Sequence, residues 1–173
     1  MEFIDFYNGL IKEFEATSSL TILSEKAGVF IWPASSGVYV IWEKEDLKEN
    51  NLIYIGMTGK FLKNSNGELI FNNASFKSRT KRWTPYRFCE NTSDNEMKHY
   101  FRYGPKESKT SLQGQIRYNE DAYKFSIPYT KIEIHCFHIN REHPEYTPVL
   151  FESLLLTKFL KSNGVLPPAN NSL

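Results

Sequence analysis

Two tyrosines in neighbouring strand-like segments are the first residues whose types and spacing suggest joint chemistry. Tyr39 lies in GVYVIW and Tyr54 lies in LIYIG. Because side chains alternate along a strand, antiparallel pairing would place both tyrosines on one face of a sheet. Gly56 would share that face, opposite Ile53 and Ile55. Tyrosines on a sheet are also common packing residues, so both interpretations stay open.

A carboxylate lies within the apolar face of the last predicted helix, PVLFESLLLTKFLKSNG. At about 100° per residue, Glu152 falls between Leu155, Leu156 and Phe159. Burying a carboxylate among apolar side chains is costly unless it is paired or bound to a metal. Glu152 is therefore a candidate metal ligand or general base at a cleft, or else a rim glutamate paired with a lysine.

A short basic segment, FKSRTKRW, predicts a helix that Asn73 or Ser75 caps. Arg79 shares one face of this helix with Phe76 and Trp83. Residues 69–89 contain no acidic side chain, and the basic residues there are Lys77, Arg79, Lys81, Arg82 and Arg87. Such a cluster, interleaved with aromatic residues, is typical of phosphate contacts. A solvated basic face is the alternative.

The elements that would position these residues can be read from periodicity. Apolar residues at helical spacing predict an N-terminal amphipathic helix with the buried positions Phe3, Tyr7, Leu10 and Phe14. SGVYVIWEK, LIYIG and KIEIHCFHI predict three strands, the first two paired as an antiparallel hairpin. Residues 58–73 predict a small excursion or a minor hairpin, and residues 86–128 show no clean periodicity. Thr147-Pro148 and Asn163-Gly164 predict the beginning and the end of the last helix.

The composition indicates one globular domain. Of 173 residues, 40% are hydrophobic and 15% aromatic, enough for a sizeable core. Lys+Arg 21 against Asp+Glu 20 gives a net charge of +1, which excludes a polycation that binds by bulk charge alone. Cys89 and Cys136 cannot form a disulfide framework or a four-thiolate zinc site, and we expect them to pack as small apolar residues. With no signal peptide and no apolar run of about 18 residues, we expect a cytoplasmic protein without a membrane partner.

Taken in order, these pieces resemble the GIY-YIG nuclease superfamily, and most closely its stand-alone restriction endonucleases. The match covers residues 36–60, 75–83 and 147–171. Its elements are Gly37-Val38-Tyr39 for the first triplet, Tyr54-Ile55-Gly56 for the second, Phe76-Lys77-Ser78-Arg79, the E-x-x-L-L-x-x-F-L helix that begins at Glu152, and Pro167-Pro168-Ala169-Asn170.

The resemblance implies an α+β fold with a small, mostly antiparallel central sheet of about three strands flanked by helices. An N-terminal helix and loop insertions would be added to it. Residues 1–173 would form a single nuclease domain. Its core would cover residues 36–60, 75–83 and 131–171, and its insertions residues 57–74 and 84–130.

The resemblance also implies a site that hydrolyses a phosphodiester with one Mg²⁺ or Mn²⁺ ion. Glu152 would hold the metal and Arg79 would clamp the scissile phosphate. Tyr39 would activate water with Tyr54 as its partner. Asn170 would orient or hydrogen-bond the active site.

Some positions depart from the family pattern. Asn171 takes the closing role if the register is shifted by one residue. Many members carry His or Tyr where this chain has Trp83, which cannot accept a proton. The lysine that often follows the second triplet is displaced, which leaves Lys60 as a candidate.

We therefore expect a metal-dependent DNA endonuclease, most simply a sequence-specific restriction enzyme that acts as a homodimer. The residues expected to contact DNA are Lys60, Lys77, Lys81, Arg82 and Arg87. A structure-specific repair or recombination nuclease and a catalytically decayed nucleic-acid-binding domain are the alternatives.

Overall fold

The fold was taken from a computed structural model. It describes residues 2–45, 48–72, 74–76, 86–89, 95–96, 98–104, 110–112, 115–117, 123 and 125–170. Residues 77–85, which carry most of the helix predicted over residues 75–83, lie outside these ranges.

Both α-helices of the described residues are those that the sequence predicts. Helix α1 spans Phe3–Ala16, and all four of its predicted core positions are buried. Helix α2 spans Pro148–Asn163 and begins at the predicted cap, where the hydroxyl of Thr147 accepts a hydrogen bond from the Leu150 N–H at 3.2 Å. It ends at Gly164, whose φ of 71° lies in the left-handed region that glycine tolerates.

Eleven β-strands occur in the described part of the chain. In chain order they are β1 (Leu20–Ser24), β2 (Gly37–Glu43), β3 (Leu52–Thr58), β4 (Lys60–Lys63), β5 (Leu69–Asn72), β6 (Tyr86–Phe88), β7 (Tyr100–Tyr103), β8 (Thr110–Leu112), β9 (Gln115–Arg117), β10 (Phe125–Pro128) and β11 (Ile132–His138).

The central sheet is antiparallel and has four strands in the order β1-β11-β2-β3. The three predicted strands are β2, β3 and β11, and the predicted hairpin of β2 with β3 is confirmed. β1 adds a fourth strand by pairing with β11. The prediction of about three strands was therefore one short, because LTILS is too brief to show a clear alternation.

A second, three-stranded sheet with the order β10-β7-β6 comes from the region without clean periodicity. Two hairpins, β4–β5 and β8–β9, complete the described strands. The first of them lies within residues 58–73, and of the two forms expected there, a small excursion or a minor hairpin, the structure has the hairpin. The protein is thus α+β with several antiparallel sheets, whereas the sequence indicated one central sheet and gave no sign of the three-stranded sheet.

Each face of the central sheet is covered. On one face, α1 and α2 pack with alternate residues of the strands, including Val38, Val40 and Phe137. On the other face, Tyr39 and Ile41 pack in a second cluster with residues of the three-stranded sheet. We call these the helix face and the tyrosine face. Within the described ranges, no helix has the length and apolar character needed to cross a membrane.

Candidate functional site

The strand register places the two motif tyrosines on the same face of the central sheet. Tyr39 lies directly opposite Gly56, and Ile41 lies opposite Tyr54. Directly opposed residues share a face, so Tyr39 and Tyr54 project to the same side, as predicted. Their ring centroids are 5.8 Å apart.

Gly56 provides the space that both rings occupy. A Cβ atom at this position would lie 2.8 Å from the hydroxyl oxygen of Tyr39 and would overlap the ring of Tyr54. No side chain larger than hydrogen fits there without displacing a tyrosine. The glycine of the second triplet is therefore required by packing on the tyrosine face.

A bulge alters the alternation next to Tyr54. The pairing of β2 with β3 shifts between Ile41 and Trp42, so that Trp42 pairs with Leu52 and Ile53 is the extra residue. Ile53 consequently packs with the tyrosine-face cluster. The expectation that Ile53 faces away from Tyr54 was wrong for this reason, whereas Ile55 does lie on the helix face.

A third tyrosine, Tyr86 of β6, lies against the two motif tyrosines, and together the three form what we call the tyrosine cluster. The hydroxyl oxygens of Tyr86 and Tyr39 are 2.5 Å apart, within hydrogen-bond distance. The ring centroids of Tyr86 and Tyr54 are 4.6 Å apart. Tyr86 and Phe88 alternate around Arg87, and this short alternation was the only signal for the strand β6 that carries Tyr86.

Burial separates the roles that the tyrosines can have. Tyr39 is 2% exposed and Tyr86 is 1% exposed, whereas Tyr54 is half-buried. The second sheet, which was not predicted, covers the tyrosine face and places the Tyr39 hydroxyl in the core. Of the two motif tyrosines, Tyr54 is the one with surface open to solvent.

Asn170 lies at the open edge of β3 and binds its backbone twice. Its Oδ1 accepts a hydrogen bond from the Ile55 N–H at 2.9 Å, and its Nδ2 donates one to the Ile55 carbonyl at 2.7 Å. The N–H of Ala169 donates to the carbonyl of Ile53 at 3.0 Å. The side-chain amide thus acts as a short substitute for a neighbouring strand, and Asn170 holds the backbone of the second triplet at Ile55.

Glu152 occupies the apolar face of α2, as the sequence predicts. It is half-buried, whereas the surrounding positions on that face, Phe151, Leu155, Leu156 and Phe159, are buried. Helix α2 packs against β3 and β2 on the helix face. Glu152 and the tyrosine cluster therefore belong to opposite faces of the central sheet, and both flank its edge strand β3.

The expected DNA-contacting residues fall in different places. Lys77, Arg79, Lys81, Arg82 and Trp83 lie outside the described residues, as does Asn171. Lys60 is exposed at the beginning of β4, two residues after β3 ends. Arg87 is half-buried on β6 and lies on the face of the second sheet that points away from Tyr86 and Phe88.

The donor set for a metal is small. Among the residues that the structure describes, no group of three or more His, Cys, Asp or Glu side chains could hold a metal ion. Glu152 supplies one carboxylate, an oxygen ligand.

Two histidines of β11 lie three residues apart and therefore on opposite faces of the strand. His135 is buried on the helix face, where its Nδ1 is 2.9 Å from the hydroxyl of Tyr7. His138 lies on the tyrosine face, with its Nδ1 2.5 Å from the hydroxyl oxygen of Ser35 and its Nε2 2.7 Å from that of Thr21. Burial lowers the pKa of His138, which favours the uncharged imidazole.

Both cysteines are buried, as predicted. Cys136 lies directly opposite Tyr39 in the register. Burial raises the pKa of its thiol, so Cys136 stays protonated and packs beside the tyrosine cluster as a small apolar residue.

No protein-family model, curated protein or solved structure matches the chain.

Proposed function

We propose that the chain is a metal-dependent DNA endonuclease with a GIY-YIG-like core, of the sequence-specific restriction type. The observation that carries the proposal is the convergence of distant motif residues on one strand. Tyr39 and Tyr54 pack over Gly56. Asn170 makes two hydrogen bonds to the backbone of Ile55, which lies between Tyr54 and Gly56 in the sequence. Motif residues that are far apart in the sequence thus support the second triplet.

The roles of the tyrosines in this proposal follow from their exposure. Tyr54 faces the substrate, because it reaches solvent at the edge strand. The buried rings of Tyr39 and Tyr86 contact the ring of Tyr54 and fix its position. This assignment moves the substrate-facing position from Tyr39, the residue favoured by the sequence, to Tyr54.

Glu152 is the proposed ligand of one Mg²⁺ or Mn²⁺ ion. It is a half-buried carboxylate next to buried apolar residues of α2, and a carboxylate oxygen is a ligand that Mg²⁺ prefers. When bound, the cation would stabilise the charge that develops on the phosphate and on the leaving oxygen. Arg79, by its resemblance to the family arginine, would hold the scissile phosphate with its planar guanidinium.

Duplex DNA is the proposed substrate. A homodimer is the proposed assembly, because each chain has one site and each site cuts one strand. Lys60 supports the DNA assignment from its exposed position two residues after β3 ends. A lysine there could contact a phosphate next to the edge strand.

A second candidate function is DNA binding without cleavage. It is favoured by the burial of the Tyr39 hydroxyl against Tyr86, which removes the first-triplet tyrosine from direct contact with a substrate. In that case the tyrosine cluster is a packing unit, and the basic residues carry the remaining activity.

A panel of substrates separates these functions. Purified protein is incubated with Mg²⁺ or with EDTA and with unmethylated phage DNA, flap and four-way junction DNA, and RNA. Discrete duplex fragments that disappear in EDTA support the restriction-type proposal. Cleavage confined to branched DNA supports the repair alternative, and binding without cleavage of any substrate supports the second candidate function.

A further inference from the structure

The central sheet has two edge strands, β1 and β3, and the described residues cover only one of them. At β3, Asn170 makes two hydrogen bonds to the backbone of Ile55, and the N–H of Ala169 donates to the carbonyl of Ile53. At β1, the described part of the chain makes no backbone hydrogen bond to the outer side of the strand. An uncovered edge presents a row of N–H and C=O groups that can pair with another strand.

The pairing of β1 with β11 shows which residues carry these outer groups. The N–H of His138 donates to the carbonyl of Ser19, so these two residues form a hydrogen-bonded pair. Hydrogen-bonded and non-hydrogen-bonded pairs alternate along an antiparallel ladder. The outer N–H and C=O groups of β1 therefore belong to Leu20, Ile22 and Ser24.

The sequence of β1, LTILS, has none of the features that keep edge strands from pairing. It contains no charged residue and no proline, and its register with β11 has no bulge. In contrast, β4 carries a lysine at each end, and the edge strand β10 ends at Pro128. Ile22, at the centre of β1, is 45% exposed. The open edge is thus uncharged and has an apolar side chain at its middle.

We propose that β1 pairs antiparallel with β1 of a second copy of the chain, about a two-fold axis at Ile22. The result is one continuous antiparallel sheet with four strands from each chain. Since each central sheet has one uncovered edge, a symmetric pair closes both edges and leaves none for a third copy. The inference rests on the proposed function for the expectation of a homodimer, and it names the surface that forms the dimer.

This register meets the requirements of both the backbone and the side chains. Ile22 lies opposite the partner's Ile22, and Leu20 lies opposite the partner's Ser24. These are the residues with outer N–H and C=O groups, so each opposed pair can exchange two hydrogen bonds. The same pairing places the two exposed Ile22 side chains next to each other on the helix face. No like charges are opposed along β1, whereas self-pairing of β4 about its centre would place Lys60 opposite the partner's Lys63.

The test is sedimentation velocity of the protein without DNA, at concentrations from about 1 to 200 µM. A pair of five-residue strands is a small interface, so we expect a monomer–dimer equilibrium within this range. Ile22→Lys should weaken dimerisation about tenfold or more, because it replaces an apolar pair with two directly opposed like charges. Ile70→Lys is the matched control, because Ile70 is 49% exposed on β5, another uncharged strand, and it should dimerise like the wild-type protein.

Three results would overturn the proposal. A wild-type protein that is monomeric at every concentration would leave β1 open to a strand of a different protein. Wild-type dimerisation by Ile22→Lys would place the interface elsewhere. Equal weakening by Ile70→Lys would show that any added charge has the same effect, wherever it lies on the surface.

Cross-linking covers the case in which Ile22→Lys folds poorly. Directly opposed residues of a hydrogen-bonded pair have Cα atoms about 5.5 Å apart, which suits a disulfide. Both native cysteines are buried, so Cys89 and Cys136 should contribute little background. Under mild oxidation, Ile22→Cys should form a covalent dimer and Ile70→Cys should not. Equal yields from the two variants, or no cross-link from Ile22→Cys, would contradict pairing at β1.

The outcomes separate this inference from the proposed function. If the protein cleaves duplex DNA and stays monomeric, the β1 interface and the homodimer are overturned and the nuclease assignment stands. If the protein dimerises through β1 and cleaves no DNA, the interface stands and the nuclease assignment is overturned.

Discussion

At the scale of single residues, a chain of hydrogen bonds fastens α1 to the central sheet. Trp42 Nε1 donates to the hydroxyl of Tyr7 at 3.1 Å, that hydroxyl is 2.9 Å from Nδ1 of His135, and Nε2 of His135 is 2.7 Å from Glu133 Oε1. An indole N–H only donates and a carboxylate only accepts. With the imidazole proton on Nε2, the Tyr7 hydroxyl accepts from the indole and donates to Nδ1, and Nε2 donates to Glu133. The residue types thus fix the direction of all three hydrogen bonds.

Tyr7→Phe tests this network. The substitution leaves Trp42 Nε1 and His135 Nδ1 buried without their shared partner, which should cost about 1–3 kcal/mol of unfolding free energy. Urea denaturation measures the loss. Tyr146→Phe is the control, because Tyr146 is only half-buried, and we expect it to cost less than about 0.5 kcal/mol. Equal losses in both variants would contradict the network.

The same network predicts an acid dependence of stability. The hydrogen bond from His135 lowers the pKa of Glu133 below its ordinary value of 4.5, although burial opposes the shift. A carboxyl group with a lowered pKa stabilises the fold above the pKa of the unfolded chain, and that contribution is lost as the pH falls through the folded value. Glu133→Gln should therefore reduce the loss of unfolding free energy between about pH 5 and pH 3. An unchanged pH profile in the variant would rule out this carboxyl group as a source of the acid dependence.

At the scale of elements, the close packing of β2 and β3 depends on one glycine. Gly56→Ala should destabilise the protein by about 1–3 kcal/mol, since the added methyl group displaces Tyr39 or Tyr54. Gly9→Ala is the matched control: nothing lies within 4 Å of its Cβ position, and alanine in a helix should add about 0.5–1 kcal/mol of stability. Thermal unfolding of both variants checks the prediction, and a stable Gly56→Ala protein with wild-type tyrosine fluorescence would contradict it.

The edge of β3 gives a second prediction at this scale. Asn170→Ala removes both side-chain hydrogen bonds to Ile55 and should cost about 1–3 kcal/mol. Hydrogen exchange at the Ile55 amide should become faster, while exchange within α1 follows only the change in global stability. If the Ile55 amide keeps its wild-type protection, the side chain of Asn170 does not stabilise β3.

Elements with strong local signals were predictable, and those formed by distant pairing were not. The cap at Thr147, the stop at Gly164 and the apolar stripe of α1 are local features, and the structure confirms each of them. The bulge at Ile53 and the strand β6 depend on partners far along the chain, which periodicity does not reveal. For the same reason the sequence identified Tyr39 and Tyr54 as a pair but missed Tyr86 and the burial that it causes.

At the scale of the whole molecule, the central sheet lies between two covered faces. α1 and α2 cover one face, and the three-stranded sheet covers the other. The edge strand β3 is the element that Tyr54, Asn170 and the helix carrying Glu152 have in common. A substrate would therefore approach the proposed site at the edge of the sheet, next to β3.

The measurement that tests the proposed function most directly is Mg²⁺-dependent cleavage of duplex DNA by Glu152→Gln beside the wild-type protein. Glu145→Gln, an exposed carboxylate in the loop before α2, is the matched control. We expect wild-type and Glu145→Gln proteins to give the same fragments, and Glu152→Gln to lose cleavage by at least about 100-fold while it still melts cooperatively and binds DNA. Undiminished cleavage by Glu152→Gln, or no cleavage by the wild-type protein, would contradict the account.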